Sequence, residues 1–191
     1  MNSIRQTLIF VVLLGVFASA LLLGMNVITS ARIEQSEEAL IQSAILDGFE
    51  IEYSFSTIGS TFGQAVTVYE YDGQTFYQSQ TGRLSFQFEG SGLWGPIIGI
   101  LTLESDLKTI AEITILQHEE TPGLGGVVAE DSYLDTFVGK QMLIDIVKDA
   151  TTLTNNQVDA ITGATRTSDA FEILLNENYN NSLAIWRANE E

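Results

Sequence analysis

Residues 8–28 read LIFVVLLGVFASALLLGMNVI and contain no charged side chain. A helix over them is about 31 Å long, the thickness of a bilayer's hydrocarbon core. The triplet ASA at 18–20 has the form of a leader-cleavage site, but LLLGMNVI carries the apolar run straight past it, so the stretch reads as an uncleaved anchor. Arg5 precedes the anchor and Arg32 follows it, and the free amine at the start of the sequence tips the positive charge towards an N-terminus inside. The expectation is a single-pass protein of the cytoplasmic (inner) membrane with its C-terminal domain on the extracytoplasmic side. The sequence divides into an anchor over 1–30, a stalk helix and domain entry over 31–60, and one domain over 61–191.

The 191 residues hold 25 acidic and 8 basic side chains, a net charge of -17. Nucleic acid is excluded as a partner, because binding it needs a basic face to displace counterions. There is no cysteine and one histidine, His118. Disulfides, thiol catalysis, cysteine-ligated iron–sulfur clusters and a zinc site of several His or Cys ligands are therefore out of reach of this chain alone. Redox work would need an organic cofactor, and a flavin is the obvious class.

Behind the anchor, ARIEQSEEALIQSAILDGF follows helical spacing through Ile33, Leu40, Ile41, Ala44 and Ile45. The runs AVTVYEY, QTFYQSQ and RLSFQFEG are then separated by the turn signals DG (72–73) and TG (81–82). Leu84, Phe86 and Phe88 alternate with Ser85, Gln87 and Glu89, as in a half-buried strand. PIIGILTLE and IAEITILQ continue the pattern, SYLDTFVGK predicts a short helix, MLIDIVKD a strand, and TSDAFEILLNENYN a C-terminal helix. The fold class is α+β: one domain with a largely antiparallel sheet and flanking helices, behind a single N-terminal transmembrane helix.

Three stretches stand apart from this pattern. GSGLWGPIIGI (90–100) is rich in glycine around Leu93 and Trp94 and reads either as a loop with a buried Trp or as an apolar platform. HEETPGLGG (118–126) sets His118, Glu119 and Glu120 ahead of a stiff turn and flexible glycines; it is a poor metal set, because neighbouring side chains in a strand point opposite ways. VDAITGATRTSDAF (158–171) crowds Thr162, Thr165, Thr167 and Ser168 around Gly163 and Ala164. Thr167 or Ser168 as N-cap of the last helix, with Asp169 in its first turn, accounts for two of these hydroxyls. A helix N-terminus also suits a phosphate, with Arg166 beside it, but nothing in the spacing requires one.

Taken in order, GLWGPI, HEETPGLGG and DAITGATRTS resemble one family: the flavin-carrying subunits of Na⁺-translocating NADH:quinone reductase and of the related Rnf electron-transport complex. The resemblance implies FMN bound covalently, through its phosphate, to a threonine in the pattern Asp, two variable residues, Ser or Thr, Gly, Ala, Thr. In this chain that pattern is Asp159, Ala160, Ile161, Thr162, Gly163, Ala164 and Thr165, making Thr165 the acceptor; Ala160 stands where Gly is common. The resemblance further implies attachment by a separate flavin transferase that uses FAD and a divalent cation. Its other implied FMN contacts are Leu93, Trp94 and Gly95 on one loop and Glu120, Thr121, Pro122, Gly123 and Leu124 on the other, with His118 orienting the second loop.

The function so implied is a one-electron relay through FMN within an ion-translocating membrane complex, with no residue of this chain acting as acid, base or nucleophile. The partners would be other membrane subunits, the transferase and the bilayer, and no metal site is expected. The substrate pair, NADH and quinone or ferredoxin and NAD⁺, and the ion, Na⁺ or H⁺, stay open. Two alternatives belong to other classes: a stand-alone membrane-tethered flavoprotein feeding an extracytoplasmic reductase, and a non-redox ectodomain binding module.

Overall fold

The computed structural model describes residues 2–148 and 152–190. The chain divides into two units, Met1–Leu40 and Ile41–Glu191. Helix α1 (Asn2–Gly48) supplies the first unit and its last eight residues enter the second. Anchor and stalk are thus one helix rather than two. No proline interrupts the run, and Thr7, Thr29 and Ser36 donate their hydroxyls to the carbonyls of Ser3, Met25 and Arg32 four residues back, so the polar side chains between the apolar ones do not break it. Its apolar side chains from Leu8 to Ile28 lie open, Leu22 at 73% exposure, and among the described residues it is the one helix long and apolar enough to cross a membrane.

The second unit is built on a five-stranded antiparallel meander in the order β1 (Val66–Tyr71), β2 (Gln74–Ser79), β3 (Leu84–Ser91), β4 (Pro96–Leu103) and β5 (Ile110–Gln117). The strands form where residues alternate between two buried surfaces. Leu84, Phe86 and Phe88 of β3 and Ile97, Leu101 and Leu103 of β4 face one core. Ile100 faces a second, smaller core with Ala44, Ile45 and Phe49, under which helix α2 (Ile58–Ala65) contributes Phe62. The DG signal forms the β1–β2 turn, with positive φ at both Asp72 and Gly73, the twist that suits a two-residue hairpin.

Between β5 and the last helix the chain forms a 3-10 turn (Gly125–Ala129), the short helix α3 (Asp131–Leu134) and a second 3-10 turn (Asp135–Phe137). Next come two three-residue strands, β6 (Asp145–Val147) and β7 (Gln157–Asp159), paired parallel. Helix α4 (Thr165–Asn189) then lays Phe171, Leu174, Leu175, Leu183 and Trp186 on the larger core. Trp186 packs against Tyr69, Tyr71 and Phe76, and Phe171 bridges Phe88 and Phe137.

The strand expected over 142–149 is short. Only Asp145–Val147 pairs, Met142 and Leu143 lie in a bend before it, and Asp149 lies outside the described residues. Its other edge is held by α4: Ile144 N donates to Asn176 Oδ1 (2.8 Å), Asn176 Nδ2 donates to Ile144 O (2.7 Å), and Ile146 N donates to Glu172 Oε2 (2.6 Å). Two polar side chains one helical turn apart take the place of a neighbouring strand.

Glu112 on β5 lies half-buried in an acidic cleft. Lost hydration, and then repulsion from Asp47, Asp135 and Asp131, push its carboxyl above the ordinary value of 4.5, with Arg83 opposing. A carboxyl whose pKa is higher folded than unfolded costs stability once it ionises, so stability falls as pH rises through the window above 4.5. Glu112→Gln is accordingly expected to raise the unfolding midpoint at pH 7. That gain should vanish below pH 4.5, where both states hold the proton, as read from thermal unfolding of the full chain in detergent at the two pH values.

Candidate functional site

The three stretches that stood apart in the sequence meet beside the first turn of α4. GLWG is the β3–β4 turn, closed by Gly92 N donating to Gly95 O at 2.8 Å. HEETPGLGG leaves the end of β5 and closes on itself where Leu124 N (3.1 Å) and Gly126 N (2.9 Å) donate to Thr121 O, with Gly123 at φ 70°. TGAT joins β7 to α4, with Gly163 at φ 80°. That left-handed geometry is open to glycine at little cost.

One side chain ties them together. Glu120 is 4% exposed. Its Oε1 accepts from Leu93 N (2.7 Å) and Trp94 N (3.0 Å), and its Oε2 accepts from the Thr167 hydroxyl (2.8 Å). Its own backbone N donates to His118 Nδ1 at 3.2 Å, so the single histidine steadies the loop from within. Glycines give Glu120 its room: a Cβ on Gly92 would stand 2.5 Å from Oε1, and one on Gly125 would run into Oε2. Glu119, its neighbour, is exposed.

The residues named as FMN contacts divide by surroundings. Trp94 (69% exposed) and Leu124 (48%) stand open to solvent, and Leu93 and Gly95 are partly covered. Thr121, Pro122 and Gly123 form the exposed tip of their loop. Leu124 lies against the TGAT stretch, its Cδ2 3.5 Å from where a Cβ on Gly163 would be. Thr162 and Gly163 are exposed and Ala164 is buried. Asp159 ends β7 with its side chain exposed, and no hydrogen bond joins it to Thr165.

Thr165 is the first residue of α4 and is partly exposed, and its hydroxyl makes no hydrogen bond among the described residues. The expected N-cap is not where the sequence placed it. Ala164 occupies the cap position without a side-chain bond, and Thr167 and Ser168 lie inside the first turn, both buried. Their hydroxyls do other work. Thr167 serves Glu120, and Ser168 Oγ accepts from Ile161 N (3.0 Å) and donates to Ala164 O (3.2 Å), pulling the TGAT loop shut. The start of α4, the positive end of its dipole, is thus left uncapped by any side chain. Arg166 beside it is exposed and has no salt bridge among the described residues.

These features fit FMN. A free hydroxyl beside an uncapped helix start suits a phosphate ester, and two large apolar side chains held in the open on neighbouring loops suit a flat ring. No group of His, Cys, Asp and Glu among the described residues has the geometry to hold a metal ion. Sequence reasoning missed the direction in which Glu120 points and the parts played by Thr167 and Ser168; the glycines spaced around Glu120 were the one available signal.

Comparison with known proteins supports FMN as the cofactor. Residues 92–180 match the family model described as FMN-binding domain. A Na(+)-translocating NADH-quinone reductase subunit from Pseudomonas aeruginosa is 37% identical over 97 residues, 45% of this chain and 37% of that protein. Its namesake from Vibrio alginolyticus is 33% identical over 103 residues, 50% of this chain and 40% of that one. The matched stretch thus spans about two fifths of those relatives' length. Among solved structures, NqrC from Shewanella oneidensis superposes with a TM-score of 0.68 at 18% identity, covering 76% of this chain and 93% of that one. A Na(+)-translocating NADH-quinone reductase subunit from Parabacteroides distasonis gives 0.66 at 21% identity, covering 79% and 92%. The α+β fold with an antiparallel sheet and flanking helices is therefore shared with these proteins.

Ser168→Ala would strand the buried Ile161 N–H, a loss of about 1–3 kcal/mol. The expected outcome is a lower urea midpoint for the full chain in detergent, with Ser168→Thr, which keeps the hydroxyl, losing less.

Proposed function

We propose that this chain is the FMN-carrying electron-transfer component of a redox-driven, ion-translocating membrane complex, and that FMN is joined through its phosphate to Thr165 Oγ1. The observation that carries the reading is the placement of Thr165: an unengaged hydroxyl at an uncapped helix start, two residues before Thr167, which Glu120 ties to the loop that exposes Trp94. The FMN-binding-domain match over residues 92–180 supports the cofactor. The names of the relatives favour NADH, quinone and Na⁺ over ferredoxin, NAD⁺ and H⁺.

Bound FMN would supply one-electron redox chemistry, and the chain's own residues do the rest. Thr165 Oγ1 is the point of attachment. The N–H groups at the start of α4 and the helix dipole offset the charge left on a phosphodiester, and Arg166 adds a cation in a chain whose net charge is -17. Trp94 and Leu124, with Leu93 beside them, exclude water from the ring's faces, and the backbone of the 121–124 tip offers polar contacts to its edge. Asp159, Thr162, Gly163 and Ala164 form the stretch that a flavin transferase reads. Transfer of FMN from FAD to Thr165 would break the diphosphate and release AMP, and Gly163 and Ala164 keep the approach to the hydroxyl clear. The anchor holds the domain at the bilayer beside the partner subunits, on the extracytoplasmic side, where a covalent bond keeps the flavin from being lost.

The test is in-gel flavin fluorescence after denaturing electrophoresis, with the full chain produced beside a flavin transferase. The wild-type band should fluoresce and the Thr165→Ala band should be dark. A dark wild-type band, alongside a control substrate that the same transferase labels, would remove the reading.

A further inference from the structure

The carboxylate of Glu120 is more than stability calls for. It is 4% exposed and has no salt bridge among the described residues. A buried carboxylate without a cation is costly unless every lone pair it presents is well used. A neutral or apolar side chain would fill the same space at lower cost. What this side chain provides and an apolar one cannot is reach: three hydrogen bonds to groups 26, 27 and 47 residues away in sequence. Two of those donors, the amides of Leu93 and Trp94, belong to one proposed wall of the flavin site. The third, the Thr167 hydroxyl, sits two residues beyond the proposed attachment point. Glu120 itself opens the 121–124 loop, the other wall.

We propose that Glu120 is the positioning residue of the flavin site: it assembles both walls against the first turn of α4 before any flavin arrives, and so fixes where Thr165 is presented. It acts through Leu93, Trp94 and Thr167 and not by contact with the cofactor, since both its oxygens are engaged. Consecutive amides converging on one oxygen form an anion-binding concavity. In this chain the protein's own carboxylate fills that concavity, which leaves the uncapped end of α4 as the open place for a phosphate. The need for room around Glu120 also accounts for Gly92 and Gly125 within their motifs.

The bond pattern sets up a sharp test. Both backbone amides go to Oε1 and the hydroxyl goes to Oε2. In Glu120→Gln the carbonyl oxygen keeps both amides, and the new amide group donates to Thr167 Oγ1, so geometry survives while charge is lost. Glu120→Ala loses all three bonds. Thr167→Val loses only the link to α4 and keeps the shape of the side chain.

The proposal rests on the flavin reading above, so two readouts are needed on the full chain in detergent. The first is the initial rate of covalent flavin attachment by a transferase supplied with FAD and Mg²⁺. The Gln variant should stay within about threefold of wild type, and the Ala variant should slow by about ten- to a hundredfold, the scale on which misplaced reacting groups lose rate. Thr167→Val should fall between them. The second readout is hydrogen exchange at the Leu93 and Trp94 amides in flavin-free protein, read by peptide mass spectrometry. Exchange should be slow in wild type and the Gln variant and fast in the Ala variant. Rescue by Gln in both assays is the result a general loss of stability would not give. The proposal is overturned if the Ala variant matches wild type in exchange or attachment, or if Gln is as slow as Ala, which would put the effect on charge. A wild type that never takes up flavin removes the functional reading, and the exchange experiment still decides the role of Glu120.

Discussion

The burial of one face of α4 on the antiparallel sheet fixes everything that follows. Phe171, Leu174, Leu175, Leu183 and Trp186 leave water there, each contributing about 1.5–3 kcal/mol before entropy is counted. Aromatic pairs lock the rotation of the helix at both ends: Trp186 among Tyr69, Tyr71 and Phe76, and Phe171 between Phe88 and Phe137. A helix held this way has no freedom over where its first residue emerges. Thr165 stands six residues before Phe171, so the core that stabilises the domain also places the candidate attachment point at its surface.

The same helix organises the chain on either side of the site. Glu172 and Asn176 grip the β6 edge, and β6 pairs with β7, which leads straight into the TGAT loop. Ser168 then closes that loop from inside the helix by holding Ile161 N and Ala164 O. The approach to Thr165 is thus pinned from α4 itself, and the hydroxyls that would ordinarily cap a helix start are drawn inward. An uncapped N-terminus is a local cost of about 0.5–2 kcal/mol. It is the sort of local inconsistency that structures carry where function asks for it: an anion brought there by a ligand would satisfy the N–H groups that no side chain does.

Much of this was legible in the sequence, for definable reasons. The anchor showed as an unbroken apolar run, β3 as alternation of Leu84, Phe86 and Phe88 with their polar neighbours, and the first part of α4 as TSDAFEILLNENYN, nine residues short of the helix's end at Asn189. Each is a pattern written over many residues. What escaped detection rests on single bonds. Strand β6 was expected, but its parallel partner β7 is three residues long, too short for any period to register, and the outer edge of β6 is made by side chains from a helix. Glu119 and Glu120 are the same residue type side by side, yet one is exposed and the other buried, because the chain has left β5 and nothing in a two-letter repeat says which way each turns. Thr167 and Ser168 carry every mark of capping residues; tertiary partners 47 and seven residues away outbid the local preference.

These failures of local reading coincide with the places where the three motifs touch. Glu120, Thr167 and Ser168 each satisfy a donor or acceptor in a segment remote from their own or across a sharp turn, so their roles exist only once the fold has formed. That explains why the motifs were informative as an ordered set and weak one by one. GLWG without Glu120 is a hairpin turn, ETPGLG without Leu93 and Trp94 to hold is a surface loop, and TGAT without Thr167 tied down is a helix start with an odd cap. The burial of Glu120 makes them parts of one object, and the exposed Trp94 and Leu124 with the partly exposed Thr165 are the surface that object presents.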